Sequence, residues 1–228
     1  MHRIPTTVSL LLFAAAAPTQ GQTMVDHLVF AAPSLQEGVR FIERALGVTA
    51  TPGGQHLGLG TRNALVSLGN DVYLEIIGPD PDHPDPAQPR PFGIDDLTRP
   101  RLVTWAARGT ELTALVEAVG EAGTNLGEVM EMSRQRPDGT LLSWELSSPF
   151  VSRADGVVPF LIDWMDSEHP ARSLPPGPEL LDLVVEHPDP EAVTAALAAM
   201  GSQVEVVHAD APGLVARVRT EAGIVELR

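Results

Sequence analysis

The sequence predicts an α+β fold: tandem βαβββ units form a curved mixed sheet around a cup, with helices outside and a third, shorter βαβββ-like unit at the C-terminus. Three observations predict it. Short apolar strands and helix-period segments recur in one order three times, over residues 24–78, 101–165 and 179–228. A unit of this kind cannot bury its sheet face alone, so copies must pair. Proline-rich stretches at 79–100 and 166–178 separate the copies, and proline's fixed φ and missing N–H suit connections better than sheet.

In the first copy, 25–30 reads as a buried strand. Ser34 caps a helix whose apolar stripe is Leu35, Val39, Ile42 and Leu46, and Gly47 closes it. After Pro52-Gly53-Gly54 come strands at 57–59 and 64–68, and the turn Gly69-Asn70-Asp71 leads into a strand at 72–77. In the second copy, 101–107 is a strand and Thr110 caps a helix carrying Leu112, Leu115, Val116 and Val119. Residues 128–136 and 140–146 pair around Pro137-Asp138-Gly139, a turn signal, and 157–164 is the closing strand. The third copy offers a strand at 180–186, a helix at 190–200, and strands at 204–208, 214–219 and 224–227.

The chain has 228 residues, 43% apolar and 20% charged, which is a globular composition long enough for a substantial core. Its 15 Lys and Arg face 30 Asp and Glu, and the net charge of -15 repels phosphate backbones, which argues against a nucleic-acid partner. With no cysteine, disulfides and thiolate chemistry are excluded, and a metal site must be built from His, Asp and Glu. No glycine loop stands between a strand and a helix to cradle nucleotide phosphates, and no nucleophile elbow is present. The apolar run at 8–17 is too short for a membrane span. Residues 1–23 read either as a signal peptide, which makes the protein secreted, or as a stretch upstream of a true start at Met24, which leaves it cytoplasmic. The immediate onset of the first strand after Met24 favours the internal start.

Several short motifs stand out together: Asp26-His27-Leu28-Val29, Gly54-Gln55-His56-Leu57-Gly58, Gly60-Thr61-Arg62-Asn63, Tyr73-Leu74-Glu75-Ile76-Ile77, Arg136-Pro137-Asp138-Gly139, and Asp163-Trp164 with His169-Pro170. In the order βαβββ–βαβββ, this set resembles the vicinal oxygen chelate superfamily, and more narrowly its glyoxalase-like domain proteins. The resemblance implies a cup-shaped site with divalent-metal ligands on the first and last strands of each unit. It also implies two kinds of function, namely metal-dependent isomerase, lyase or dioxygenase chemistry, and metal-free sequestration of a small molecule.

Strand parity places the polar groups. His27 and Val29 fall on the cup face of the first strand, with Leu28 and Phe30 on the helix side; Tyr73, Glu75 and Ile77 share the face opposite Val72, Leu74 and Ile76. A glutamate inside an apolar strand is costly unless it is paired or binds a metal. His27 and Glu75 on one cup make half of a divalent-metal site. His56, in a glycine-rich stretch, completes a two-His, one-carboxylate set suited to iron, manganese, nickel or zinc. The resemblance implies the same roles for His27 and Glu75. The second copy departs from the pattern, with Val103 opposite His27. It offers Asp163, a fourth ligand or a general base of raised pKa, so Glu75 and Asp163 are the candidate proton carriers. Arg62 would clamp a substrate oxyanion and Asn63 would orient it. Tyr73 and Trp105 would wall the cup.

Each of these residues also has a purely structural reading: His27 as a core histidine bonded to a carbonyl, Glu75 bridged to Arg62, His56 in a loop, Asp163 bonded to loop backbone, Asn63 in a left-handed turn, and the aromatics as core. His83, His169, His187 and His208 read as surface residues. The third copy leaves a sheet face that must pack on the first two or pair in a homodimer.

Overall fold

The computed structural model describes residues 23–56, 58–82, 86, 88–136 and 139–228. Residues 1–22, and with them the choice between signal peptide and upstream stretch, lie outside the described residues, as do His83 and the turn residues Pro137 and Asp138.

Eight strands form one curled sheet: β1 (Met24–Ala31), β2 (Thr51–His56), β3 (Thr61–Ser67), β4 (Tyr73–Pro79), β5 (Arg101–Arg108), β6 (Val129–Gln135), β7 (Leu141–Ser147) and β8 (Phe160–Asp163). Their order is β2-β3-β4-β1-β5-β8-β7-β6. Both halves repeat one pattern. The first strand of each lies parallel to its last, β1 to β4 and β5 to β8, and the halves join through the antiparallel pair β1–β5. The sheet curls until its edge strands β2 and β6 come together. There Arg134 Nη1 donates a hydrogen bond to the carbonyl of Gly53.

The helices α1 (Leu35–Leu46) and α2 (Leu112–Glu121) cover the outside. Ser34 caps α1 by accepting from the Glu37 N–H, and Gly47 ends it at φ 70°. At α2 the cap position falls on Glu111, in a left-handed conformation and without a side-chain bond. Thr110 therefore sits one residue too early to serve as the cap.

Parity sorts the core into two layers, as the strand pattern anticipates. Leu28, Phe30, Leu74 and Ile76 pack under the helices with Ile42 and Leu46. Val29, Tyr73 and Ile77 face the concave side with Leu142, Trp144 and Phe160.

Local departures have physical causes. The strand expected at 57–59 is displaced to β2, which runs through Pro52-Gly53-Gly54. An edge strand tolerates proline, and a bulge between Pro52 and Gly54 absorbs the glycines. Gly58 and Gly60, both at positive φ, make the turn that follows. The closing strand is shortened to β8, because Val157 caps a one-turn 3-10 helix at Ala154–Gly156 and residues 157–159 stay outside the ladder. The linkers are not plain coil: 3-10 turns form at Pro91–Asp96 and Pro170–Ser173.

The third copy keeps the element order, with β9 (Glu179–His187), α3 (Pro190–Ala199), β10 (Glu205–His208), β11 (Gly213–Thr220) and β12 (Gly223–Leu227). Its pairing differs. The order is β10-β9-β11-β12, so β10 lies directly beside β9 as in a simple β-α-β crossover. This sheet packs on the helix side of the larger one, and its Leu183 and Val185, with Val193 of α3, join the same buried layer as Leu28 and Trp105. The Leu180 N–H donates to the Leu68 carbonyl at 2.8 Å, and the Leu102 N–H to that of Arg228 at 3.0 Å. No helix among the described residues is long and apolar enough to cross a membrane.

Candidate functional site

The concave face of the eight-stranded sheet encloses about 540 Å³ of empty space, its open mouth included. Its polar end is built by the first unit. β1 carries a bulge: Val25 pairs with Ala107 and His27 with Ala106, which leaves Asp26 as the extra residue. Neighbouring strand residues ordinarily point to opposite faces. Here the bulge lets the Asp26 carboxylate reach back to its own neighbour, and His27 Nδ1–H donates to Asp26 Oδ1 at 2.8 Å. Asp26 is fully buried. It also accepts from Arg108 Nε at 2.6 Å and from Trp164 Nε1 at 3.2 Å, and His169 Nε2 lies 3.1 Å away. Burial pushes its carboxyl pKa up, but hydrogen bonds from His169 and His27, and their charge, overcome that and hold it well below the usual carboxylate range. Because Nδ1 of His27 is committed to Asp26, its Nε2 is the atom turned to the cup. The ring stacks on Tyr73, with centroids 4.6 Å apart.

Glu75 follows two residues after Tyr73 on β4 and faces the same cavity. His27 Nε2 stands 3.8 Å from Glu75 Oε2, and His56 Nε2 stands 3.6 Å from Oε1. The far nitrogen of His56 is held by Thr61 Oγ1 at 3.0 Å. Burial lowers the His56 pKa, and the nearby Arg134 and His27 lower it further against the pull of Glu75, so the ring is held neutral. Asn63 Nδ2 donates to Glu75 Oε1 at 2.6 Å and lies 3.3 Å from His56 Nε2. Its Oδ1 is buried with no partner among the described residues, pressed against Gly53. A Cβ on Gly53 would lie 2.0 Å from that oxygen, so glycine is what admits the Asn63 side chain.

The second unit lines the other end. Met132, Trp144, Phe160, Ile162 and Trp164 are apolar walls, and Phe92 from the linker stacks on Phe160 at the mouth. One cation stands among them, Arg134. Of the residues expected at the site, His27, His56, Asn63, Tyr73 and Glu75 come together on the cavity wall. Asn63 and His56 are strand residues there, in neither a turn nor a loop.

Three others do not. Trp105 faces the helix layer, fully buried, and its Nε1 donates to the Val157 carbonyl at 2.8 Å. A second bulge, in which Val29 pairs with Thr104 and Phe30 with Leu102, reverses the parity of β5 and carries Trp105 away from the cup. Arg62 alternates with Asn63 on β3 and so points outward, where it pairs with Asp80 at 3.7 Å and Asp82 at 3.3 Å instead of Glu75. Asp163 likewise alternates with the cup-facing Ile162, and its Oδ1 accepts from the Met165 N–H at 2.8 Å. His169, expected at the surface, is buried beside Asp26. Sequence reading missed Asp26 and Arg134 as parts of the site. The available signal for Arg134 was its period-two spacing from Met132 on β6.

Among the described residues, no group of three His, Asp or Glu side chains is gathered into a metal cage as it stands. The donor chemistry nonetheless fits a divalent ion. Two imidazoles turn Nε2 toward one carboxylate, and each has its other nitrogen fixed by a hydrogen bond, the arrangement that prepares histidine for coordination. The separations of 3.6 and 3.8 Å exceed by only a few tenths the roughly 3.3–3.5 Å between ligands of a tetrahedral ion.

Paired βαβββ units around a cup with a polar end define the class to which sequence comparison also leads. A sequence family described as a glyoxalase-like domain matches residues 25–201. The chain belongs to that family, within the vicinal oxygen chelate superfamily. A hypothetical protein of Staphylococcus aureus shares the fold with a TM-score of 0.57 at 11% identity, over 89% of this chain and 97% of that one. A methylmalonyl-CoA epimerase of Mycobacterium tuberculosis aligns with a TM-score of 0.41 at 19% identity, over 66% of this chain and 91% of that one. The Streptomyces coelicolor methylmalonyl-CoA epimerase, in complex with 2-nitronate-propionyl-CoA, gives 0.43 at 20%, over 66% and 100%. A search of curated proteins returns no match.

Proposed function

We propose that the protein is a divalent-metal-dependent isomerase or lyase acting on a small oxygenated substrate held in the cup. One observation carries this reading: two histidine Nε2 atoms, each on a ring whose other nitrogen is held by a hydrogen bond, converge on the two oxygens of the buried Glu75. His27, His56 and Glu75 would hold the ion. Bound there, it would act as a Lewis acid toward adjacent substrate oxygens. The chain's own groups supply the rest. Asn63 orients Glu75 by donating to Oε1, which keeps a lone pair for the ion, and Oε2 would take a proton from a substrate carbon and return it. The aromatic walls orient the apolar body of the substrate and exclude water. Asp26 keeps His27 in the tautomer that presents Nε2.

One observation favours a second reading, a metal-free binding protein. The Asn63 amide already satisfies Glu75 and His56, and the second unit adds no metal donor on Ala106, Phe160 or Ile162. A single experiment decides between the two: metal content by mass spectrometry of tag-free protein, beside His27→Ala and Glu75→Ala. Near-stoichiometric iron, manganese, nickel or zinc that is lost in both variants is the result expected. A wild type that carries no metal and takes up none overturns the enzyme reading in favour of the binding protein.

A further inference from the structure

The apolar half of the cup holds one charged side chain that the proposed chemistry does not use. Arg134 is 4% exposed and lines the cavity with Trp144, Phe160 and Trp164. Among the described residues its hydrogen bond is the one from Nη1 to the Gly53 carbonyl, and it forms no salt bridge there. The carboxylate that shares the cavity, Glu75, is engaged by Asn63.

A guanidinium carries five N–H donors in a planar fork. Clasping β2 to β6 requires one donor, which a neutral amide side chain would supply without the cost of burying a charge. Arg134 lines the same cavity as His27, His56, Tyr73 and Glu75, so the cation and the polar end share one space. A buried cation with donors to spare, beside a cavity, is a receptor for an anion.

We infer that Arg134 is the anion-recognition residue of the cup and that its ligand is a small monoanionic carboxylate with an apolar body. The fork matches a carboxylate bidentately. Glu75 already puts one negative charge on the cavity wall, so a phosphate dianion would add more uncompensated charge than a carboxylate to a largely apolar pocket of a chain with net charge -15. Trp144, Phe160 and Trp164 would hold the apolar body. This names the substrate class of the site proposed above and rests on that reading in taking the cup as the place where substrate binds.

The test is a titration followed by the emission of Trp144 and Trp164, with benzoate, phenylacetate, benzamide and phenyl phosphate as probes, on chelator-treated and on metal-loaded protein. Benzoate or phenylacetate is expected to bind at least about tenfold tighter than benzamide in both forms. Arg134→Met is expected to abolish that preference, and Arg134→Lys, which keeps the charge but loses the fork, to reduce it. No saturable binding of either carboxylate, no preference over benzamide, or a preference unchanged in both variants overturns the inference. Phenyl phosphate binding as tightly as benzoate overturns the carboxylate assignment. If Arg134→Met fails to fold, the wild-type comparison and Arg134→Lys still decide. A preference confined to the metal-loaded form overturns the role of Arg134 while the metal reading stands. A preference retained by a protein that binds no metal leaves this inference standing while the metal reading fails.

Discussion

Asp26 and His27 are adjacent in sequence and hydrogen-bonded to each other, at 2.8 Å, across a β-bulge. That contact fixes which nitrogen of His27 faces the cup, and it ties the first strand to Arg108, Trp164 and His169 from three later segments. Replacing Asp26 by asparagine keeps the shape and turns an N–H₂ toward donors. We expect it to weaken metal binding about 10- to 100-fold, as loss of a carboxylate behind a ligating histidine does. Competition with a chelator of known affinity measures this, and unchanged affinity would remove Asp26 from any positioning role.

The same carboxylate shapes the response to acid. Its folded pKa is held below its unfolded value, so the unfolded chain binds more protons at low pH. Its stabilisation is therefore complete above the unfolded value of about 3.9 and is lost as pH falls below that. At pH 7 Asp26→Asn should cost about 3–5 kcal/mol, because it breaks a buried charged pair. The gap to wild type should narrow below pH 4 in urea titrations. A gap that stays constant from pH 7 to pH 3 would contradict this assignment.

Gly53 is predicted to be intolerant of a side chain. A Cβ there would meet Asn63 Oδ1 at 2.0 Å and push the amide off Glu75. Gly53→Ala should destabilise by about 1–3 kcal/mol, the usual cost of overpacking. Adding Asn63→Ala should recover much of that stability, a non-additivity that a double-mutant cycle reads directly. Purely additive effects would show that the two residues do not press on one another.

Much of this site was legible from alternation alone, and the failures share one cause. Period-two counting put His27, Tyr73 and Glu75 on one face because β1 past its bulge and β4 are regular where those residues sit. It misplaced Trp105 because one extra residue in β5 inverts every side chain beyond it, and a bulge leaves no mark in the apolar pattern. Arg62 and Asn63 were both assigned to the substrate, although neighbours on a regular strand cannot share a face; the glycines before them suggested a loop, where no parity applies. Asp26 was hidden by its own bulge. The third copy has the element order β, α, β, β, β, which the local pattern carries, but which strands pair is a non-local choice, and β10 takes the place beside β9.

Trp105 provides a control that separates stability from function. It is fully buried in the helix-side layer and donates to the Val157 carbonyl. Trp105→Phe keeps an aromatic ring, leaves that carbonyl unpaired, and should cost about 1–3 kcal/mol. Metal content and ligand-induced quenching should be unchanged, because Trp144 and Trp164 are the tryptophans on the cup. Loss of ligand binding in a folded Trp105→Phe protein would mean that the helix layer and the cup are coupled.

His56 gives the last test; its pH effect has the same sign as that of Asp26 but a different cause. Burial disfavours its charged form, and Arg134 and His27 add to that, so its folded pKa lies below the unfolded value of about 6.5. Below that pH the unfolded chain takes up a proton that the folded protein resists. Stability must then fall as pH drops, by at most about 1.4 kcal/mol per pH unit for one group. The Asn63 amide reinforces the effect, since Nδ2 can donate only to an unprotonated Nε2. His56→Gln removes the titrating group and should flatten the decline in stability between pH 7 and pH 5, measured by urea unfolding at each pH. It should also abolish metal uptake at every pH if His56 is a ligand. A variant whose decline matches wild type would show that His56 titrates normally in the folded protein and is not held neutral.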